Sequence, residues 1–123
     1  LNDEQFNRLH TLARRGQSEG VRLIVVLPPM ADNVRTEVCD VFGITETMQG
    51  TVLPTLAAWA DECGFTLLDY EWGDSVITDD DKQFFDGFHL DERYGLPEWT
   101  QELFGDIARS QAPPSGEAVR KAD

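Results

Sequence analysis

The sequence predicts an α/β domain, a three-layer α/β/α parallel sheet of which only the C-terminal part is present. Three observations predict it. Two short runs, "VRLIVVLPP" (21–29) and "FTLLDY" (65–70), are continuously apolar, as strands buried on both faces of a parallel sheet are. A helix-periodic segment, "TVLPTLAAWADECG" (51–64), lies between them, which is the order of a right-handed parallel crossover. Two strands are few for such a layered sheet, and the 123-residue chain opens without Met, directly in helical pattern. The expectation is a piece of a larger domain over residues 1–110, followed by a disordered tail at 111–123.

Each element has its own signals. Asn2 with Gln5 three later resembles a capping box, and Phe6, Leu9 and Ala13 then share one helical face, with Gly16 as a stop. The first strand ends at Pro28 and Pro29, neither of which can supply a ladder N–H. Residues 30–50 are ambiguous, with a short helix expected around 34–42 inside a loop. In the segment 51–64, Leu53, Leu56, Ala57 and Ala60 fall on one face. Pro54 sits where a first turn tolerates it, and Gly64 where a helix stops. After the second strand come an acidic loop, "EWGDSVITDDDKQ", and a last amphipathic helix from about Pro97. That helix aligns Leu96, Leu103 and Ile107, with Trp99 or Phe104 beside them. The closing "QAPPSGEAVRKAD" has the composition of a disordered segment.

Charge excludes some functions. With 23 acidic and 10 basic residues the net charge is −13, which repels phosphate backbones and anionic lipid. Nucleic acid is therefore not an expected partner. The longest apolar run, "LIVVL" (23–27), is far shorter than the ~20 residues of a membrane helix, so no membrane insertion is expected. Cys39 and Cys63 pair or stay free, and neither has metal-ligand spacing. No cofactor is implied.

The chemistry concentrates in "FFDGFHLDERYG" (84–95). Asp86 and His89 follow the carboxyl end of the second strand, where ligands sit in open α/β sheets. Gly87 permits a turn that brings the Asp86 carboxylate to the imidazole Nδ1–H, leaving Nε2 as a general base. The plainer alternative is that His89 closes a loop and Asp86 caps a backbone turn. Trp72, in the acidic loop, is a candidate substrate-binding aromatic, although core packing suits it, Trp59 and Trp99 as well. The acidic run Asp79, Asp80 and Asp81 lacks the spacing of a calcium loop and reads as solvated. His10 reads as a residue on a polar helix face with no partner.

"F-F-D-G-F-H-L" followed by Gly95 and an amphipathic helix, after a strand ending in Asp69, resembles the final block of the SGNH (GDSL-like) hydrolases. "LIVVLPP" after a helix is similar to that family's penultimate core strand. The similarity covers most of residues 2–109, and its closest flavour is the branch with polysaccharide O-acetyltransferases. It implies a flavodoxin-like sheet and a serine esterase or O-acyltransferase acting on a small-molecule or glycan ester. His89 would be the base and Asp86 its orienting carboxylate. It also suggests a periplasmic or cell-surface location.

The family's nucleophile block and its Gly and Asn oxyanion blocks are not in their expected places here, so the nucleophile is expected upstream of this chain. Gly73-Asp74-Ser75 spells the nucleophile motif but follows the last predicted strand, with no helix start after it; Ser75 reads as a loop serine. Asn33 reads as a turn residue rather than an oxyanion donor. Alone, these residues are expected to have little or no activity. The competing reading is a non-catalytic α/β module that binds a partner or glycan through the acidic, Trp-bearing loop 71–91. A weaker third is an acidic, metal-dependent switch.

Overall fold

The computed structural model describes residues 2–78 and 80–111, without the side chain of Asp80. The expected tail from 112 onward and Asp79 of the acidic run lie outside the described residues. The sheet is two parallel strands, β1 (Ile24–Leu27) and β2 (Thr66–Asp69), in register from Ile24 against Thr66 to Leu27 against Asp69. Both are shorter than expected, and all eight residues are half-buried rather than enclosed. Each strand has one neighbour, so its other edge stays unpaired and wet among the described residues. Helices beside a two-strand parallel sheet give the described residues a generic α/β character, and two strands are too few to show three layers.

Helix α1 (Asp3–Ser18) starts where expected: the Asn2 side chain accepts the Glu4 N–H at 2.9 Å. It does not stop at Gly16. It runs on to Ser18, and the left-handed residue that follows is Gly20, with φ 69°. Helical backbone fills most of the ambiguous region. α2 (Asp32–Val34) widens into a π-type turn at Arg35–Cys39, and Gly43 in the left-handed region precedes α3 (Ile44–Thr47). A second π-type turn, Met48–Val52, joins α3 to α4 (Leu53–Cys63) without a break.

Pro54 is the second residue of α4, as expected, but the helical backbone runs into it unbroken from α3. It lacks the N–H that would reach back to residue 50, and the turn just before it is widened, with the Leu53 N–H bonding the Met48 carbonyl. The end of α4 is as expected, at Gly64 with φ 73°. Of the predicted apolar face, Leu56 is buried and Leu53 and Ala60 half-buried, but Ala57 is exposed.

α1 and α4 pack together over the odd-numbered side of the sheet. Ala13, Cys63 and Phe65 form the buried centre there, with Leu23, Val25, Trp59, Ala60 and Leu67 against it. A second cluster lies past the carboxyl ends of the strands: Ala31, Ile77 and Phe84, flanked by Val34, Leu90 and Trp99. This second cluster is the floor on which the candidate site stands.

After the short α5 (Asp80–Gln83) comes α6 (Gly95–Gln111), which starts two residues before Pro97 and passes the expected boundary at 110. Its predicted apolar face is kept in part: Leu103, Ile107 and Trp99 are half-buried, whereas Leu96 and Phe104 are exposed, and a polar row beside them faces the segment 70–83. Glu98, Glu102 and Asp106, four residues apart, each accept hydrogen bonds from the segment 70–83. Glu98 takes the Gln83 amide at 2.7 Å, Glu102 takes the Ser75 hydroxyl and Val76 N–H, and Asp106 takes the Tyr70 hydroxyl at 2.6 Å. Gly95 enters this junction so closely that a Cβ there would collide with the Gln83 carbonyl oxygen. Among the described residues no helix is long and apolar enough to cross a membrane.

Candidate functional site

The site is a tight loop pinned at its base. Phe84 and Leu90 form an antiparallel bridge, supported by Asp91 N–H to the Gln83 carbonyl (2.8 Å) and Phe85 N–H to the His89 carbonyl (2.7 Å). Phe84 and Leu90 turn inward onto the second cluster, so the residues between them are carried outward. Phe85 and Phe88 are 79% and 62% exposed, large apolar rings held in water on either side of the acidic turn.

The turn itself is made by Asp86 and Gly87. One Asp86 oxygen, Oδ1, accepts the N–H groups of Phe88 (3.0 Å) and His89 (2.8 Å). The other, Oδ2, lies 2.6 Å from His89 Nδ1. The carboxylate thus caps the turn with one oxygen and contacts the imidazole with the other. The hydrogen bond to the His89 ring, then the two backbone N–H groups, hold the Asp86 carboxyl below the usual carboxylate range. With Nδ1 engaged, Nε2 is the free nitrogen. The imidazole borders an open hollow of about 410 Å³ lined by Phe85, His89, Leu90, Asp91, Glu92 and Arg93. Arg93 in that wall is paired with Asp91, 3.2 Å away.

Gly87 joins this loop to the first strand. Its φ is +87°, and its carbonyl accepts the Ala31 N–H at 3.1 Å, just past Pro28 and Pro29. The loop is therefore anchored beyond the carboxyl ends of both strands, β2 through the chain and β1 through Ala31.

The other candidates fall into place around this loop. Trp72 is half-buried under the Arg35 guanidinium, 5.5 Å from its ring centre, and its indole N–H donates to Glu71 at 2.9 Å. Arg35 also donates to the Glu71 carbonyl. Trp72 thus forms part of a packed clasp between the two strand ends. Burial pushes the Glu71 carboxyl up, because the charged form loses its water there.

Ser75 is committed elsewhere: its hydroxyl donates to Glu102 at 2.8 Å and accepts the Ile77 N–H at 3.1 Å. Residues 74–78 form no helix, so backbone N–H groups do not converge on it as an oxyanion hole requires. Asn33 lies in the helical turn α2. Trp59 packs on Phe6 (4.7 Å between ring centres), and Trp99 meets Tyr70 edge-on at 5.8 Å.

His10 is a correction. It is half-buried rather than partnerless, with its ring 4.8 Å from that of Trp59 and its Nε2 3.4 Å from Glu62 Oε2. A single-helix view hid this, because the partners come from α4. Cys39 and Cys63 are both buried free thiols in different parts of the core, and Cys39 lies against the Met30 sulfur at 3.7 Å.

Sequence reasoning missed Gln83, the buried amide beneath the loop. It accepts the Thr78 N–H (2.8 Å) and donates to Glu98, holding the acidic loop and α6 to the base of the dyad turn. The four-residue spacing of Glu98, Glu102 and Asp106 puts them on one side of α6; nothing in the sequence named Gln83 as a partner for that row. Comparisons with protein-family models, curated proteins and solved structures found no match for this chain.

Proposed function

We propose that this chain supplies the base and orienting carboxylate of a serine esterase or O-acyltransferase. The carrying observation is the Asp86 Oδ2 to His89 Nδ1 contact of 2.6 Å, with the carboxylate's other oxygen fixed by two backbone N–H groups. A carboxylate held this way favours the tautomer with the proton on Nδ1. It also stabilises the imidazolium formed when Nε2 takes a proton from a hydroxyl. His89 borders an open hollow, which leaves room for a hydroxyl to approach.

The nucleophile and oxyanion donors belong to chain outside these residues, in a fuller α/β/α sheet of which β1 and β2 are two strands. The exposed Phe85 and Phe88 beside an uncovered imidazole suit a surface that further chain encloses, since proton transfer gains from a water-excluded site. The binding-module reading has less support from geometry: the indole N–H and one ring face of Trp72 are already used by Glu71 and Arg35.

The test uses the full-length protein and a fluorophosphonate, which labels an activated serine. One serine outside residues 1–123 should be labelled, and His89→Ala should abolish labelling. Labelling of Ser75, labelling indifferent to His89→Ala, or no labelling of the folded protein would each overturn the proposal.

A further inference from the structure

The far end of the molecule holds a second cluster of chemically active side chains, between α1 and α4. Cys63 closes α4 just before β2 begins, whereas the dyad loop lies past the strands' other ends. His10 from α1 meets Glu62 and Cys63 from α4, and their donor atoms all lie within 4.8 Å of one another. From this geometry we propose a binding site for a divalent transition-metal ion of the zinc type, with His10 Nε2, Glu62 Oε2 and Cys63 Sγ as protein ligands.

The donor set fits that chemistry. Imidazole, carboxylate and thiolate are the three side-chain ligands zinc takes, at about 2.0–2.3 Å, so donors around a tetrahedron stand about 3.3–3.7 Å apart. His10 Nε2 and Glu62 Oε2 are already 3.4 Å apart. The thiol needs only a short approach, and water completes the fourth position. Hard oxygen-seeking cations would gain nothing from the sulfur, which sets zinc, cobalt and their neighbours apart from magnesium or calcium.

The surroundings orient each ligand before any metal arrives. Trp59 packs against the His10 ring at 4.8 Å, so Nε2 is the nitrogen that points at α4. Arg14 holds the other Glu62 oxygen, Oε1, at 2.6 Å, which leaves Oε2 to bind as a single donor. Gln17 donates to the Glu62 carbonyl at 3.2 Å and fixes the last turn of α4. The Arg14 charge opposes a cation locally, while the chain's net charge of −13 favours one at longer range. Binding transfers the Cys63 S–H proton to solvent and forms a metal–thiolate bond; no oxidation is involved.

The test is a titration of the metal-free chain with Zn²⁺ alone, repeated with Co²⁺ as a spectroscopic probe. The expected result is one ion per chain, a thiolate-to-cobalt band in the near ultraviolet, and a higher melting temperature because the ion staples α1 to α4. Cys63→Ser should abolish the band, and Cys63→Ser and His10→Gln should each weaken binding at least tenfold, whereas Cys39→Ser should bind as the parent does. Should Cys63→Ser fail to fold, His10→Gln carries the same test from the half-exposed side. Absence of binding at equimolar metal, a cobalt complex without the thiolate band, or variants that bind like the parent would overturn the site. The last result would leave only a histidine–glutamate contact between two helices.

Discussion

Asp86 meets His89 twice: Oδ1 accepts its backbone N–H at 2.8 Å and Oδ2 lies 2.6 Å from its ring Nδ1. One side chain therefore fixes both the backbone and the imidazole of the same residue. The ring bond is the larger cause of the low Asp86 pKa. A carboxyl depressed in the folded state contributes stability above its unfolded pKa of about 3.9, and that contribution is lost as pH falls through the folded value. The expected outcome is an Asp86 carboxyl titrating below the usual range by carbon-13 NMR. In His89→Ala it should move back up, short of normal, because the N–H groups of Phe88 and of residue 89 remain. An unchanged midpoint would mean that the ring bond does not form in solution.

Gly87 is the residue whose replacement should disturb the dyad loop most. A side chain there must adopt φ near +87° and place its Cβ 2.6 Å from Val34 Cγ2. The left-handed conformation alone costs about 1–2 kcal/mol for a non-glycine residue, and the collision adds to it. Gly87→Ala is expected to lower unfolding stability by about 2–3 kcal/mol in a denaturant titration. Adding Val34→Ala should recover part of that loss, since it removes the methyl group that the new Cβ meets. Simple additivity of the two changes would show that the contact is not the cause.

The local signals of the fold were legible because they depend on neighbours in sequence. The apolar runs around Val25 and Leu67, the Gly64 cap and the Asp86–His89 spacing were all of this kind. What was not legible depends on residues far apart. His10 looked unpartnered because Trp59 and Glu62 lie about fifty positions away and meet it only once α1 packs on α4. Leu96 looked like core because its helical phase is apolar, yet it is exposed while Glu102 and Asp106 are half-buried beside Leu103 and Ile107 and, with Glu98, bond the segment 70–83. Polar donors in the segment 70–83 await them there, and leaving those donors buried and unpaired would cost more than exposing a leucine. The helical turns from Ile44 were missed because residues 30–50 read as ambiguous and Pro54 as a first-turn residue, whereas a π-type turn carries the helical backbone from α3 into α4.

Ser75 offers a direct separation of motif from mechanism. Its hydroxyl ties Glu102 to the Ile77 N–H at the edge of the second core cluster. Ser75→Ala is expected to cost about 1 kcal/mol of stability through these lost hydrogen bonds. In the full-length protein it should leave ester turnover and serine labelling intact. Loss of turnover in a folded Ser75→Ala variant would instead make this serine the nucleophile.

Tyr70 links the end of β2 to α6 through its hydroxyl, 2.6 Å from Asp106, and its ring is 5% exposed. Burial first, then the hydrogen bond and the charge of Asp106, push the phenol well above its ordinary pKa. An acid whose folded pKa is raised holds its proton more tightly folded than unfolded. Its stabilisation is complete below the unfolded value of about 10 and declines as pH rises from there toward the folded value. Thermal stability should therefore fall above about pH 10 more steeply in the parent than in Tyr70→Phe, which has no proton to lose at this position. At neutral pH the same variant should be less stable by about 1–2 kcal/mol, because Asp106 keeps Arg109 but loses the phenol. Melting curves for both chains between neutral pH and pH 11 distinguish the outcomes. Parallel pH slopes would mean that the Tyr70 phenol does not donate to Asp106 in the folded protein.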